Sequence, residues 1–146
     1  MMNYKKHPKR MIRATLLAIC FAVASAHSDV VVVVSASSPV TELSKNQISK
    51  IFLGKSRRFP DGSRAVPLNQ SEGNSARDAF YMQVSGKSPS QVKAHWTKLI
   101  FTGRGQPPKE AANGDAVKDL LANNGVNIGY IDQAAVDDSV KIVAIK

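Results

Sequence analysis

The sequence predicts an α/β domain in which helices flank a mostly parallel sheet. Short β-branched runs alternate along the chain with stretches whose apolar residues recur at helical spacing, a pattern that is typical of such a sheet. Apolar residues make up 43% of the chain, a share that excludes a disordered protein. The length of 146 residues corresponds to about one domain.

The first 26 residues have the pattern of a signal peptide. Basic residues precede an apolar run at 14–24, and the run ends in the small-residue cleavage pattern Ala24-Ser25-Ala26. This run is too short to cross a bilayer, which takes about 20 residues. We therefore expect a leader at 1–26 and one domain at 27–146, exported to the periplasm as a soluble protein.

A second use of the leader involves Cys20, the single cysteine of the chain. The segment that ends at Cys20 resembles a lipoprotein processing box, which would keep Cys20 as a lipid-bearing N-terminus. The residue before such a cysteine is normally small, and Ile19 is not, so the sequence favours soluble export over lipid anchoring. One cysteine also excludes a disulfide framework and a cysteine-based zinc site.

Much of the positive charge lies in the leader. The whole chain has 20 basic and 11 acidic residues, a formal charge of +9. Five of the basic residues and none of the acidic ones lie at 1–26, so residues 27–146 have 15 basic and 11 acidic residues and a charge of +4. Such a mildly basic domain does not indicate a nucleic-acid partner.

The first half of the domain contains two predicted strands and one helix. A β-branched run at 29–34 is expected to form a buried strand that ends in a Ser-rich turn. Ser44 and Gln47 form a capping-box pattern that predicts a helix, and Gly54 lies just after the expected end of that helix. A polar loop then leads to a second strand at 64–69.

Two helices are predicted next. One begins near Ser75 and ends at Gly86, and the other has Ser88 at its N-cap and ends at Gly103. The apolar stripe of the second of these helices is predicted to face the core and consists of Val92, Trp96, Leu99 and Ile100.

The last part of the chain is predicted to add a helix and two closing strands. The helix starts at Asn113 and ends at Gly125, and the strands cover 127–131 and 140–145. About 120 residues are enough to bury a core, so the domain is expected to fold alone.

The predicted junction between the second strand and the second helix has the features of an anion site. The first turn of a helix has free backbone N–H groups and the positive end of the helix dipole, and Gly73 lets a ligand approach the backbone closely. Ser71, Asn74 and Ser75 provide polar side chains and Arg77 a positive charge. The alternative is ordinary helix capping by Asn74 or Ser75, with Arg77 in solvent.

Four segments resemble a known family in the family's own order. Residues 41–55 are similar to the L-T-x-x-x-L-x-x-I-F-x-G-K segment of periplasmic phosphate-binding proteins, the substrate-binding subunits of ABC phosphate importers. Residues 71–80 resemble that family's [DE]-G-S-G-T-R-D-x-F phosphate loop, and residues 127–130 its A-I-G-Y strand. Residues 30–40 resemble its V-V-V-N-x-x-N-P-V strand.

The resemblance implies one lobe of a type II periplasmic binding protein fold. It implies a non-enzymatic, cofactor-free protein that binds phosphate or a related oxyanion and works with an ABC importer. Full-length members close two lobes on the anion, whereas 27–146 corresponds to a single lobe. The residues of the loop that match the family pattern are Glu72, Gly73, Arg77, Asp78 and Phe80.

Three loop positions depart from the family pattern. Asn74 replaces a serine, Ser75 a glycine, and Ala76 the threonine whose hydroxyl would contact phosphate. A lone lobe also leaves the anion open to water, so we expect weak and salt-sensitive binding unless a second chain completes the site. The carboxylate of Glu72 either accepts the proton of hydrogen phosphate or only begins the helix turn.

These departures leave a second hypothesis of another class. The lobe is then an interaction or regulatory module that kept the fold and lost tight phosphate binding. Its partner would be an importer, a membrane sensor or a second copy of itself. The retained Gly73 and Arg77 favour anion binding, and the altered Asn74, Ser75 and Ala76 favour the module.

Other segments offer secondary candidates. Ser35 and Ser38 follow the first strand and are expected at the sheet edge that contains Ser71, with a plain Ser-rich turn as the alternative. Arg104, between two glycines, offers an anion a charge and neighbouring amides, with a helix end as the alternative. The remaining candidate is a basic cluster suited to an anion or an acidic partner, or else a solvated loop, formed by Lys55, Arg57, Arg58 and Arg64.

The sequence does not indicate an enzyme. No Ser-His-Asp, Cys-His or paired-carboxylate arrangement stands out, and the glycines form neither a dinucleotide fingerprint nor a P-loop. His95 has no ligand-spaced histidine or carboxylate beside it, so no metal site is expected.

Overall fold

A computed structural model describes residues 29–146, which form seven strands and four helices. The strands are β1 (Val30–Ser35), β2 (Glu42–Leu43), β3 (Val66–Gln70), β4 (Lys109–Ala111), β5 (Asn127–Asp132), β6 (Val140–Ile142) and β7 (Ala144–Ile145). The helices are α1 (Lys45–Phe52), α2 (Ser75–Ser85), α3 (Pro89–Phe101) and α4 (Gly114–Ala122), and a 3-10 turn follows β5 at Gln133–Ala135.

The central sheet has the strand order β4-β3-β5-β1-β6. Strand β3 is parallel to β4 and β5, whereas β1 is antiparallel to both β5 and β6. Four of the five strands therefore run in one direction, and the expected mostly parallel α/β sheet is confirmed. The reversal of β1 was not expected, because a β-branched run is equally compatible with either strand direction.

Local capping determines where the helices begin. Ser44 and Gln47 form a reciprocal capping box at α1, and Ser88 and Gln91 form a second one at α3, as predicted. Helix α2 ends at Gly86 in the left-handed conformation. These starts and ends follow from residues close in sequence, which explains why the sequence predicts them well.

The sheet separates two hydrophobic clusters. Alternate residues of β1 point to opposite faces, so Val32 and Val34 join one cluster and Val33 the other. The larger cluster contains residues of α1, α2 and α3, and the smaller one contains Val117 and Leu121 of α4. Helices thus cover both faces of the sheet.

Helix α4 approaches β5 closely at Gly129. A methyl group at Gly129 would lie 2.6 Å from Cγ1 of Val117, so this position has no room for a side chain. The close contact brings α4 onto the strand that forms the middle of the sheet.

Several predicted details are corrected by the structure. The closing strand expected at 140–145 is divided, because β6 pairs with β1 in the central sheet whereas β7 pairs with β2 in a separate two-stranded sheet. Helix α4 ends at Ala122, before Gly125, and Ile100 is 54% exposed and does not face the core. The short strands β2 and β4 were not predicted, since two or three residues show no periodicity.

The predicted leader and the Cys20 alternative lie outside the described residues. Within 29–146, no helix is long and apolar enough to cross a membrane. The assignment of 1–26 to a signal peptide stays a prediction.

Candidate functional site

The end of β3 is built on a buried polar network. The hydroxyl of Tyr130 donates to Oδ1 of Asn69 and accepts from the backbone N–H of Gln70 at 3.0 Å. The side-chain amide of Gln70 donates to the carbonyl of Tyr130 at 2.8 Å, and that of Asn69 donates to the hydroxyl of Tyr81 at 3.2 Å. All four side chains are buried, so this network holds the carboxyl end of β3 in one conformation.

The two tyrosines of this network stay protonated over a wide pH range. Burial raises the pKa of Tyr81 to about 12 and also raises the pKa of Tyr130. The ring of Tyr130 stacks on Phe80 of α2 at a centroid distance of 4.0 Å. This stacking packs α2 against β5.

The turn between β3 and α2 is held to its neighbours by backbone bonds. The N–H of Ser71 donates to the carbonyl of Ala111 in β4 at 3.1 Å, and the N–H of Asn74 donates to the carbonyl of Ser71 at 3.1 Å. Gly73 has a φ of +87°, in the left-handed region that favours glycine. The glycine that the sequence has at position 73 is thus the residue type that the backbone of this turn requires.

Asn74 is the N-cap of α2. Its side chain accepts from the N–H of Ala76 at 2.9 Å, which confirms the capping part of the alternative interpretation. Within 29–146, the N–H groups of Ser75 and Arg77 have no hydrogen-bond acceptor. Ser75 is exposed and Arg77 is half-buried, and both amides lie at the positive end of an 11-residue helix, the end that stabilises an anion.

The guanidinium of Arg77 is engaged within the domain. Its Nη1 donates to the carbonyl of Gln70 at 2.9 Å and to Oε1 of Glu110 at 2.7 Å. The side chain is only 12% exposed, so Arg77 is not the solvated residue of the alternative interpretation. An anion at the turn has to share this charge with Glu110.

The surroundings of the turn are neither strongly positive nor enclosed. Glu72 accepts from Nζ of Lys93 at 3.1 Å, and Asp78 lies in the first turn of α2. A cavity between Arg77 and α3 has a volume of only about 10 Å³, roughly the space of one water molecule. A ligand at the turn would therefore sit on an open surface, as the sequence predicts for a single lobe.

The structure brings together the primary site residues, which are Ser71, Gly73, Asn74, Ser75 and Arg77. The secondary candidates Ser35, Ser38 and Arg104 lie elsewhere. Because β1 is antiparallel to β5 and β3 is parallel to it, Ser35 lies at the sheet edge opposite to Ser71. The shared edge expected for Ser35 and Ser38 is therefore wrong. Both are buried, with the Ser38 hydroxyl accepting from the N–H of Val40, as in the Ser-rich turn alternative.

Arg104 also lies away from the turn. It is exposed and lines a cleft at the N-terminal end of β3, beside residues 65–67. Its N–H donates to the carbonyl of Leu99 at 2.9 Å, as expected for the end of a helix.

The residue that sequence reasoning missed at this site is Glu110. It lies in β4, whose three residues pair with Leu68, Asn69 and Gln70. The sequence offers one signal for it, a carboxylate in the short segment between the loop 103–108 and the helix that starts after Asn113. Only the pairing of β4 with β3 brings Glu110 to Arg77.

No metal centre is apparent in the described part of the chain. Residues 29–146 contain no group of three or more His, Cys, Asp or Glu side chains placed to hold an ion. Nε2 of His95 lies 2.8 Å from the carbonyl of Leu53, where it joins α3 to α1.

The fold has close counterparts among solved structures. At a TM-score of 0.62 and 26% identity, it is similar to a protein from Clostridium perfringens that was described as a phosphate ABC transporter substrate-binding protein and solved with bound phosphate. It is also similar to an ABC-type phosphate transport receptor from Vibrio cholerae, at 0.63 and 19%, and to PstS from Borrelia burgdorferi, at 0.58 and 11%.

Each match covers 80% of this chain but only 44%, 45% and 47% of the respective neighbour. The chain thus spans less than half the length of these proteins. No family model matches the sequence, and no curated protein matches it. The resemblance that four short motifs predicted is confirmed by structure: this chain is similar to the substrate-binding proteins of phosphate ABC transporters.

Proposed function

We propose that this protein is an exported, non-enzymatic solute-binding protein that binds phosphate or a related oxyanion at the turn between β3 and α2 and serves ABC-type phosphate import. The observation that carries the proposal is the pair of N–H groups on Ser75 and Arg77, which have no acceptor within 29–146. The structural neighbour solved with bound phosphate supports the choice of anion.

The amides and hydroxyls of the turn define how the anion binds. The N–H groups of Ser75 and Arg77 donate to its oxygens, together with the hydroxyl of Ser75 and that of Ser71, which has to leave its 3.4 Å bond to the carbonyl of Ala111. Arg77 contributes positive charge, which it shares with Glu110 because its Nη1 lies 2.7 Å from Oε1 of Glu110. Because the turn is open to solvent, water and salt compete for each contact, and we expect weak and salt-sensitive binding.

Calorimetry of the purified protein at low salt tests this proposal, with phosphate, sulfate and chloride as ligands. We expect phosphate or sulfate to bind and Arg77→Ala to weaken the affinity by about tenfold, since one close charge is lost. Arg58→Ala is the matched control, because Arg58 is exposed and its guanidinium donates, among residues 29–146, to the carbonyl of Gly62 alone.

Two results would contradict the proposal. One is an absence of phosphate and sulfate binding at millimolar concentration by the folded wild-type protein. The other is an equal loss of affinity in the Arg58→Ala and Arg77→Ala variants, which would indicate attraction by net charge alone.

A second candidate is an interaction or regulatory module of the same fold. It is favoured by the Arg77–Glu110 ion pair and by the small volume, about 10 Å³, of the cavity beside Arg77. Sedimentation of the wild-type protein with and without phosphate separates the two. A stable dimer that ignores phosphate, with no calorimetric binding, would favour the module.

A further inference from the structure

A cleft of about 710 Å³ lies at the N-terminal end of β3, opposite to the turn. The C-terminal ends of α1 and α3 and the loop 103–108 form its walls, and residues 65–67 form its floor. The volume falls within the range of roughly 300–1,000 Å³ that is typical of small-molecule sites. It is far larger than the cavity of about 10 Å³ beside Arg77.

Four cationic side chains from separate segments line this cleft. Arg57 follows α1, Arg64 precedes β3, Arg104 follows α3, and Lys109 begins β4. All four are exposed, and none forms an ion pair within 29–146. No acidic side chain lines the cleft, so its positive charge has no internal counterion.

The floor and one wall of the cleft are apolar. Val66, Pro67, Leu99 and Pro108 are each partly exposed there. Trp96 also lines the cleft, with its six-membered ring packed so closely on Gly54 that an added methyl group would lie 2.9 Å from Cη2. A ligand made only of charge, such as a simple inorganic ion, would leave this apolar surface uncovered.

We infer that this cleft binds an organic anion that has two or more negative charges on a flat apolar body, the chemistry of a nucleoside phosphate. Three of the four cations are arginines, whose planar guanidinium groups form paired bonds to phosphate oxygens and stack on flat rings. The floor of Val66, Pro67 and Leu99 takes the ring. The cleft shares no lining residue with the turn 71–77, so the inference does not rest on the proposed function.

Trp96 provides a local reporter for the test, because it lines the cleft and is the only tryptophan in the chain. The probes are ATP without metal, inorganic triphosphate as charge without a ring, and adenosine as a ring without charge. We expect ATP to change Trp96 fluorescence with an affinity at least about tenfold tighter than either control compound.

Two double variants with the same net charge show where the binding occurs. Arg57→Ser/Arg104→Ser removes two cations of the cleft and is expected to weaken ATP binding by about tenfold or more. Lys45→Ser/Lys98→Ser removes two exposed cations that do not line the cleft and is expected to leave the affinity unchanged. Circular dichroism checks that each variant is folded.

Three outcomes would overturn the inference. The first is no fluorescence response to ATP at millimolar concentration. The second is equal affinity for ATP and inorganic triphosphate, which would show that charge alone is bound. The third is an equal loss in the two double variants, which would show that net charge and not the cleft attracts the probe.

Discussion

The two ends of β3 differ in how their charges are used. At the carboxyl end, Arg77 is 12% exposed and paired with Glu110, above a network of buried polar side chains. At the amino end, Arg57, Arg64 and Arg104 are exposed around a cleft that contains no acidic side chain. The positive charge at the carboxyl end is held in place and partly neutralised by Glu110, whereas the positive charges at the amino end face solvent without an acidic partner in the cleft.

This difference separates two kinds of anion site. A helix N-terminus offers fixed amides but little charge, so its affinity depends on a nearby cation and on exclusion of water. A ring of unpaired guanidinium groups offers charge without fixed geometry, so its specificity depends on what else the ligand touches. The turn suits a small oxyanion, and the cleft suits a larger organic one.

The largest expected effect concerns the carboxyl end of β3. Tyr130→Phe removes the hydroxyl that accepts from the N–H of Gln70 and donates to Asn69, both of which are buried. We expect a loss of about 2–3 kcal/mol in the free energy of unfolding, measured by urea denaturation. Tyr81→Phe is the control and should cost about 1 kcal/mol, since its hydroxyl accepts a single, longer hydrogen bond of 3.2 Å from Asn69 within 29–146. Equal losses would show that the network does not organise this end.

The next effect is a loss of stability in alkali. Burial raises the pKa of Tyr81 to about 12 and also raises that of Tyr130, whereas an unfolded tyrosine ionises near pH 10. The folded state therefore keeps these protons longer than the unfolded chain does. Stability should be complete below about pH 10 and fall as the pH rises through about 12, by roughly 2–3 kcal/mol from Tyr81 alone.

Melting temperature measured against pH, together with tyrosinate absorbance, tests this expectation. In a protein that comprises residues 27–146, tyrosinate from Tyr81 and Tyr130 should appear only as the protein unfolds. Lys118→Gln is the control, because hydrogen bonding to Asp137 raises the pKa of this half-buried lysine, which is another group that loses its proton in alkali. An alkaline loss that disappears in Lys118→Gln would assign the effect to the lysine.

The smallest expected effect concerns the competition between Glu110 and a bound anion for the positive charge of Arg77. Glu110→Gln removes the internal partner of Arg77, so we expect phosphate to bind about tenfold more tightly by calorimetry. Asp138→Asn changes the net charge equally and is the control, since Asp138 is exposed and forms no ion pair within 29–146. If Glu110→Gln binds no better than Asp138→Asn, Glu110 does not compete with the anion.

Local sequence predicted a large part of the fold. Both capping boxes, at Ser44 and Ser88, start their helices as expected, because a cap involves only residues three positions apart. Gly73 and Asn74 likewise predicted the turn and the start of α2. The primary site residues were brought together for the same reason, since all lie between 71 and 77.

Features that depend on strand pairing were not predictable in this way. Glu110 meets Arg77 only because the three-residue β4 pairs with β3, and a strand of that length leaves no periodic signal. The error over Ser35 has a similar origin, since the direction of β1 is decided by its neighbours β5 and β6.

The sequence by itself determined the helix caps, the alternation of helices and strands, and the family that the chain resembles. The caps and the alternation follow from hydrogen bonds and apolar spacing within a few residues of each other, and the resemblance follows from four short motifs that occur in the family's order. The tertiary structure alone decided that Arg77 is paired and that Arg57, Arg64 and Arg104 surround one cleft. Those neighbours lie far apart in sequence, and only the packing of the sheet and helices brings their charges within reach of one another.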